Sequence, residues 1–214
     1  GANALDANTT GASNTAVGYT SLDACTTGSN NVAVGQDALG ANTTASDNVA
    51  IGLSSLKLNV TGTANVAVGK DALRANLASN NTAVGMDALT ANTTGDNNVA
   101  VGTDALSTNA TGNRLTAVGY EALKASAVSG DTNASNTAVG FQAGLVVSTG
   151  TANTFIGSQC GDATTTGAQN TAVGLGSLHA NTTADDNTAV GYLALTANTT
   201  GSANVAVGTS AGAA

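Results

Sequence analysis

The chain has 214 residues, with 25 Asn, 27 Gly, no Pro and no Trp, and only 8% of its residues are charged. A net charge of −8 with five Lys and Arg leaves too few cations to neutralise phosphates, which argues against nucleic acid as a partner. No run of 18 apolar residues is present to insert in a membrane, and "GANALDANTT" has neither the basic nor the apolar segment of a signal peptide. Ala and Val dominate the 42% hydrophobic share, so the interior must be narrow.

One phrase recurs from end to end. In chain order it reads NTAVG at 14–18, NVAVG at 31–35, NVAIG at 48–52, NVAVG at 65–69, NTAVG at 81–85 and NVAVG at 98–102. It continues as LTAVG at 115–119, NTAVG at 136–140, NTFIG at 153–157, NTAVG at 170–174 and 187–191, and NVAVG at 204–208. The glycines are 17 residues apart, except for one interval of 16 (Gly69 to Gly85) and one of 21 (Gly119 to Gly140). Gly1 lies 17 before Gly18, so the sequence starts inside a repeat and reads as a segment of a longer fibre. Residues 1–214 form one repeat array, with a four-residue insertion near 126–135 that is expected to bulge out over Ser129 to Asn133.

A 17-residue unit is too short for paired helices and suits one coil of a parallel β-solenoid. Each phrase alternates as a strand does: Val66 and Val68 point one way and Ala67 the other. The "ANTTG" segment supplies a turn, because Asn and Gly tolerate left-handed backbone. Asn-Gly and Asp-Gly, the strongest tight-hairpin signals, are absent, which favours stacked parallel coils over an antiparallel meander. The expected fold is all-β: a parallel β-solenoid, or β-roll, of about 12–13 coils in a trimeric fibre.

The columns generated by stacking set the expected core. Val17, Val34, Ile51, Val68, Val84, Val101, Val118 and Val190, one before the glycine, are assigned to it. So is the Leu column four after the glycine, including Leu39, Leu73, Leu106 and Leu195. The uniform Ala column (Ala33, Ala67, Ala100, Ala189), broken only by Phe155, is assigned to a face between sister chains. Asn14, Asn31, Asn48, Asn65, Asn81, Asn98 and Asn187 are expected to form an amide ladder at a coil corner.

Little in the sequence points to chemistry. Acidic residues two after the glycine (Asp37, Asp71, Asp87, Asp104, Glu121) form a partial column that Lys57, Arg74 and Lys124 offset, which reads as a solvated face rather than a Ca²⁺ site. His179 is the only histidine and has no nucleophile arrangement around it. Cys25 and Cys160 lie eight coils apart, too far to pair within one chain; Cys160 reads as a small buried residue, and Cys25 as able to meet its copies across a three-fold axis. The Thr pairs, such as Thr43 and Thr44, suggest an ice-binding flank, but adjacent residues of a strand point to opposite faces. Tyr19, Tyr120, Phe141 and Tyr192, one after the glycine, read as incidental packing at an outward or groove-lining position, with carbohydrate contact as the alternative. No phosphate loop, acid–base pair or cofactor motif is found, so the expectation is a non-enzyme with no cofactor and no bound metal.

"LTAVGYEAL" at 115–123 and "NTAVGYLAL" at 187–195 resemble the head repeats of trimeric autotransporter adhesins, and more closely the "NTAVGYxAL…NTTG" arrays of bacteriophage tail fibres. The resemblance covers essentially the whole chain. It implies a left-handed β-roll that trimerises, and a structural shaft of a virion or extracellular fibre that holds a recognition tip away from the particle. It further implies self-association as the main partnership, with any cell-surface glycan bound by a region outside these residues. A self-assembling extracellular filament, or an ice- or glycan-binding solenoid, is the alternative.

Overall fold

A computed structural model describes residues 1–127 and 133–213. These contain twelve three-residue strands and no helix. The strands are β1 (Thr15–Val17), β2 (Val32–Val34), β3 (Val49–Ile51), β4 (Val66–Val68), β5 (Thr82–Val84) and β6 (Val99–Val101), then β7 (Thr116–Val118), β8 (Thr137–Val139), β9 (Thr154–Ile156), β10 (Thr171–Val173), β11 (Thr188–Val190) and β12 (Val205–Val207). They form one sheet in sequence order, and every neighbouring pair is parallel. The fold is therefore the all-β parallel solenoid expected from the 17-residue repeat. Equivalent residues stack: Ala33 lies between Ala16 and Ala50, and Val34 between Val17 and Ile51.

Both irregular intervals keep this register. Across the short coil Val66 pairs with Thr82, and across the long one Thr116 pairs with Thr137. The short coil loses its residue in the turn, where Ala78 O alone receives the amides that Gly62 O receives one coil earlier. Of the bulge expected over Ser129 to Asn133, residues 129–132 lie outside the described residues, and Asn133 forms a parallel bridge with Asn113.

The glycine after each strand turns the chain. Gly52 has φ +133°, and a Cβ there would stand 2.5 Å from the carbonyl oxygen of Gly69 in the next coil. Left-handed residues then recur two and four places on, as at Asp37 (φ 58°) and Leu39 (φ 52°). A leucine in this region is unfavourable, by roughly 1–2 kcal/mol. Two terms offset it: burial of the Leu39 side chain, which contributes on the order of 1.5–3 kcal/mol, and backbone bonding on both sides. Asp37 N–H donates back to Tyr19 O, while Leu39 and Ala41 N–H donate forward to Ser55 O and Lys57 O. The corner thus extends the ladder that the strands begin.

The structure corrects two column assignments. Val17, Ile51 and Val84 are 55%, 40% and 36% exposed, and Val34, Val68, Val101, Val118 and Val190 are half-buried on the same outer face. Ala33, Ala67, Ala100 and Ala189, assigned to a face between chains, are fully buried and line the interior. Side-chain parity is the cause. The buried Asn two residues before each Ala fixes the inward side, so the Ala follows it in and the Val must face out. The opposite wall is Leu39, Leu73, Leu106 and Leu195, all buried, and the gap left across the coil fits a methyl.

Phe155 shows how tight that gap is. It occupies the Ala column fully buried, and the Leu column is glycine at Gly144 and Gly161, beside it. A Cβ at Gly161 would come within 2.5 Å of the Phe155 ring and one at Gly144 within 3.0 Å. One ring has taken the space of two leucines.

Candidate functional site: amide core and outer faces

The Asn heading each phrase closes one end of the coil. Asn65 Oδ1 accepts the backbone N–H of Asn81, and Asn48 Oδ1 accepts that of Asn65, at 2.9 and 3.0 Å. Asn65 Nδ2 donates to Ala78 O at 2.8 Å, in the turn of the following coil. Asn31, Asn48, Asn81 and Asn98 repeat the pattern, Asn14 accepts from Asn31 N–H, and Asn187 accepts from Asn204 N–H. Each side chain therefore satisfies polar backbone in two coils. At Leu115 the column is interrupted: its N–H still donates to Asn98 Oδ1, but a leucine has no amide to hand on.

A second buried amide column, not expected from the sequence, runs seven residues after the glycine. Asn59 Oδ1 accepts from Gly62 N–H, and Asn59 Nδ2 donates to Gly62 O. Asn42 closes the same three-residue turn on Ala45. Gly62 O also accepts from Asn48 Nδ2, so the two columns meet on one carbonyl. The available signal was the Asn that opens most of the turn segments, as at Asn42, Asn59, Asn76, Asn92 and Asn181, although Cys25, Ser126, Val147 and Thr164 interrupt it.

Both cysteines replace small or amide residues of these inner columns and are fully buried. Cys25 takes a place in the second amide column and directs its thiol at Gly28 O, which rules out a meeting with its copies on the surface. Burial pushes the Cys25 thiol up, and that of Cys160 up to about 11. The native chain is accordingly expected to leave both thiols unlabelled by a disulfide-exchange reagent near neutral pH, and to yield two per chain once unfolded. Prompt labelling of the native chain would contradict the buried placement.

On the outside, charge is confined to the corners. Among the described residues every Asp, Glu, Lys and Arg lies one, two or five residues after a coil glycine, or five or six before the next. Lys57 reaches back to Asp37 at 3.1 Å, and Lys124 to Asp104 at 3.6 Å and Glu121 at 2.6 Å. Asp71 has Lys70 and Arg74 beside it. His179 Nδ1 sits 2.6 Å from Asp162 Oδ1 in the preceding coil. Among the described residues no three His, Cys, Asp or Glu side chains converge as a metal site would require.

The Thr20 hydroxyl, followed by Lys57, holds Asp37 below the ordinary carboxylate range; Lys124 and Gln142 do the same for Glu121. A lowered folded-state value contributes stability above the unfolded value and loses it as pH falls through the folded one. Asp162 is raised by burial, against the pull of His179, so its protonation works the other way. A thermal midpoint that is flat near neutral pH and declines modestly below about pH 4 is expected. Lys57→Met should shrink the decline, and an unchanged acid profile in that variant would contradict the assignment.

The Thr pairs divide in use. The first hydroxyl donates to the carbonyl of its counterpart in the next coil, as from Thr26 to Thr43 O and from Thr165 to Thr182 O. The second Thr, for example Thr44 or Thr166, is exposed. Hydroxyls of the first Thr, as at Thr9, Thr26, Thr93, Thr165 and Thr182, are thus engaged by backbone of the next coil, which weakens the ice-binding expectation.

The sheet face carries the apolar surface. Among the described residues seventeen large hydrophobic side chains are exposed, and fourteen of them lie three or one before, or one after, a coil glycine. Tyr19, Tyr120, Phe141 and Tyr192 are among them, each about half exposed, and the Tyr120 and Phe141 rings stack at 5.5 Å and 12° across the long interval. The column one before the glycine is Val or Ile in every coil, an apolar strip flanked by Thr or Val on one side and by mixed large and polar residues on the other.

These features define a parallel β-solenoid with an amide-lined core and one apolar outer face. A scan of protein-family models, a search of curated proteins and a search of solved structures each returned no match to the chain. No helix among the described residues is long and apolar enough to cross a membrane.

Proposed function

We propose that the chain is a shaft segment of a homotrimeric virion or extracellular fibre, of the phage tail-fibre or surface-adhesin kind. Its work is mechanical and non-catalytic: a stiff spacer that holds an attachment tip away from its base, needing no cofactor. The observation that carries this reading is the continuous ladder of twelve in-register strands, joined coil to coil by corner backbone and buried amides. Hydrogen bonds repeated at every coil resist bending and leave few openings for a protease. The likeness of "NTAVGYLAL" to fibre arrays supports the same reading. The apolar sheet face supplies the surface for sister chains, with glycan contact left to a tip outside these residues. Electron microscopy of the purified chain tests it. Straight rods at least about 53 Å long, the span of eleven strand spacings, are expected, with resistance to a broad-specificity protease under native conditions. Compact round particles, or rapid digestion to small peptides, would overturn it.

A further inference from the structure

One glycine escapes the constraint that explains the rest. Among the described residues every other glycine either has a positive φ or would bring a Cβ closer than 3.0 Å to a neighbouring atom. Gly40 does neither. A Cβ there would meet Asp37 O at 3.4 Å and Asp23 Oδ1 at 3.6 Å, which is ordinary contact. The backbone would accept a side chain, so what Gly40 contributes is space for something else to approach.

That space is a surface hollow of about 260 Å³, lined by Asp23, Asp37, Gly40, Ala41, Lys57 and Leu58. Asp23, Gly40 and Lys57 each stand five residues after the glycine of three consecutive coils, so the missing side chain opens a gap between a carboxylate and an ammonium. Lys57 is already turned to Asp37 at 3.1 Å, and Asp37 also accepts from the Thr20 hydroxyl. No ion pair engages Asp23 among the described residues. Two carboxylates against one ammonium leave the hollow negative.

Apolar surface continues from its rim. The three exposed large apolar side chains that lie off the sheet face, Leu58, Val60 and Leu77, all fall in the two coils that follow the coil of Gly40. Val60 and Leu77 occupy a column, eight after the glycine, where Thr is the usual residue. A concave charged pocket beside a local apolar run is the form of a binding site.

We infer that the Gly40 hollow and this run dock a basic segment of another polypeptide, with a lysine or arginine against Asp23 and apolar side chains on Leu58, Val60 and Leu77. Charge favours such a partner, because the chain carries −8 and attracts a cationic segment from a distance. Length favours a polypeptide over a free amine: Leu77 lies two coils beyond Gly40, about 10 Å along the rod. The site lies five to eight residues after the coil glycine, off the sheet face given above to sister chains, and does not rest on the shaft reading.

The test uses the full chain and an acetylated Lys-Leu-Thr-Leu peptide carrying a dye at its C-terminus, read by fluorescence anisotropy. Circular dichroism checks the fold of each variant. Saturable binding is expected, weakened roughly two- to fivefold by Asp23→Asn, the worth of an exposed ion pair. Gly40→Lys, which puts the chain's own cation into the hollow, should weaken it further, and Leu77→Thr should weaken it through the apolar run. Hexylamine should compete at least about tenfold less well than unlabelled peptide. No binding at hundreds of micromolar chain, or unchanged binding by Gly40→Lys, overturns the site. Equal binding of a peptide with glutamate in place of lysine overturns the assigned charge. Hexylamine competing as well as the peptide, or unchanged binding by Leu77→Thr, overturns the polypeptide partner.

Discussion

Phe155→Ala is expected to destabilise the chain by about 3–5 kcal/mol, the usual cost of emptying a buried aromatic site. The ring is fully buried, and the glycines at Gly144 and Gly161 leave nothing able to relax into its place. Gly161→Leu alone should also destabilise, because its Cβ would stand 2.5 Å from the ring. The triple variant Phe155→Ala, Gly144→Leu, Gly161→Leu should recover most of the loss. It rebuilds the Ala-and-Leu cross-section of the other coils, where leucine already holds the same left-handed conformation, as at Leu106 (φ 53°). Chemical denaturation of the four proteins checks this. Additive losses in the triple variant would show that the three residues do not share one space.

Asn65→Ala is the second large effect expected, at about 1.5–4.5 kcal/mol. It strands the buried N–H of Asn81, at roughly 1–3 kcal/mol, and removes one of the two amide donors to Ala78 O, a hydrogen bond contributing about 0.5–1.5 kcal/mol net, while Asn76 Nδ2 keeps that carbonyl paired. Val68→Thr, three residues away on the outer face, should change the stability of the isolated chain by no more than about 0.5 kcal/mol. Equal effects at the two positions would contradict the inward and outward assignments. Melting should be measured in dilute protein, so that self-association does not protect the Val face.

Much of the architecture was legible because a repeat reports its own geometry. The interval between glycines fixed the coil length, and the missing hairpin dipeptides pointed to parallel stacking; the ladder from Thr15 to Val207 has both properties. The Asn column and the buried Leu column follow from spacing alone. Parity did not, because a three-residue strand of Val-Ala-Val gives the same alternation whichever side faces in. Hydrophobicity favoured Val inside, yet a coil this thin has room only for Ala opposite Leu39. The deciding signal was present: Phe155 interrupts the Ala column where Gly144 and Gly161 interrupt the Leu column, which happens only if the two columns touch. Left-handed Leu39 was illegible from propensity, which counts against leucine there; stacking and burial override it.

The most direct test of the interior assigned to Asn, Ala and Leu is maleimide labelling of Ala67→Cys and Val68→Cys. Both are measured at a dilution where light scattering shows a single chain. The prediction is a thiol at position 67 protected until the chain unfolds, and one at position 68 that reacts in the native state. Rapid native labelling at 67 with protection at 68 would reverse the parity of every coil and contradict the account.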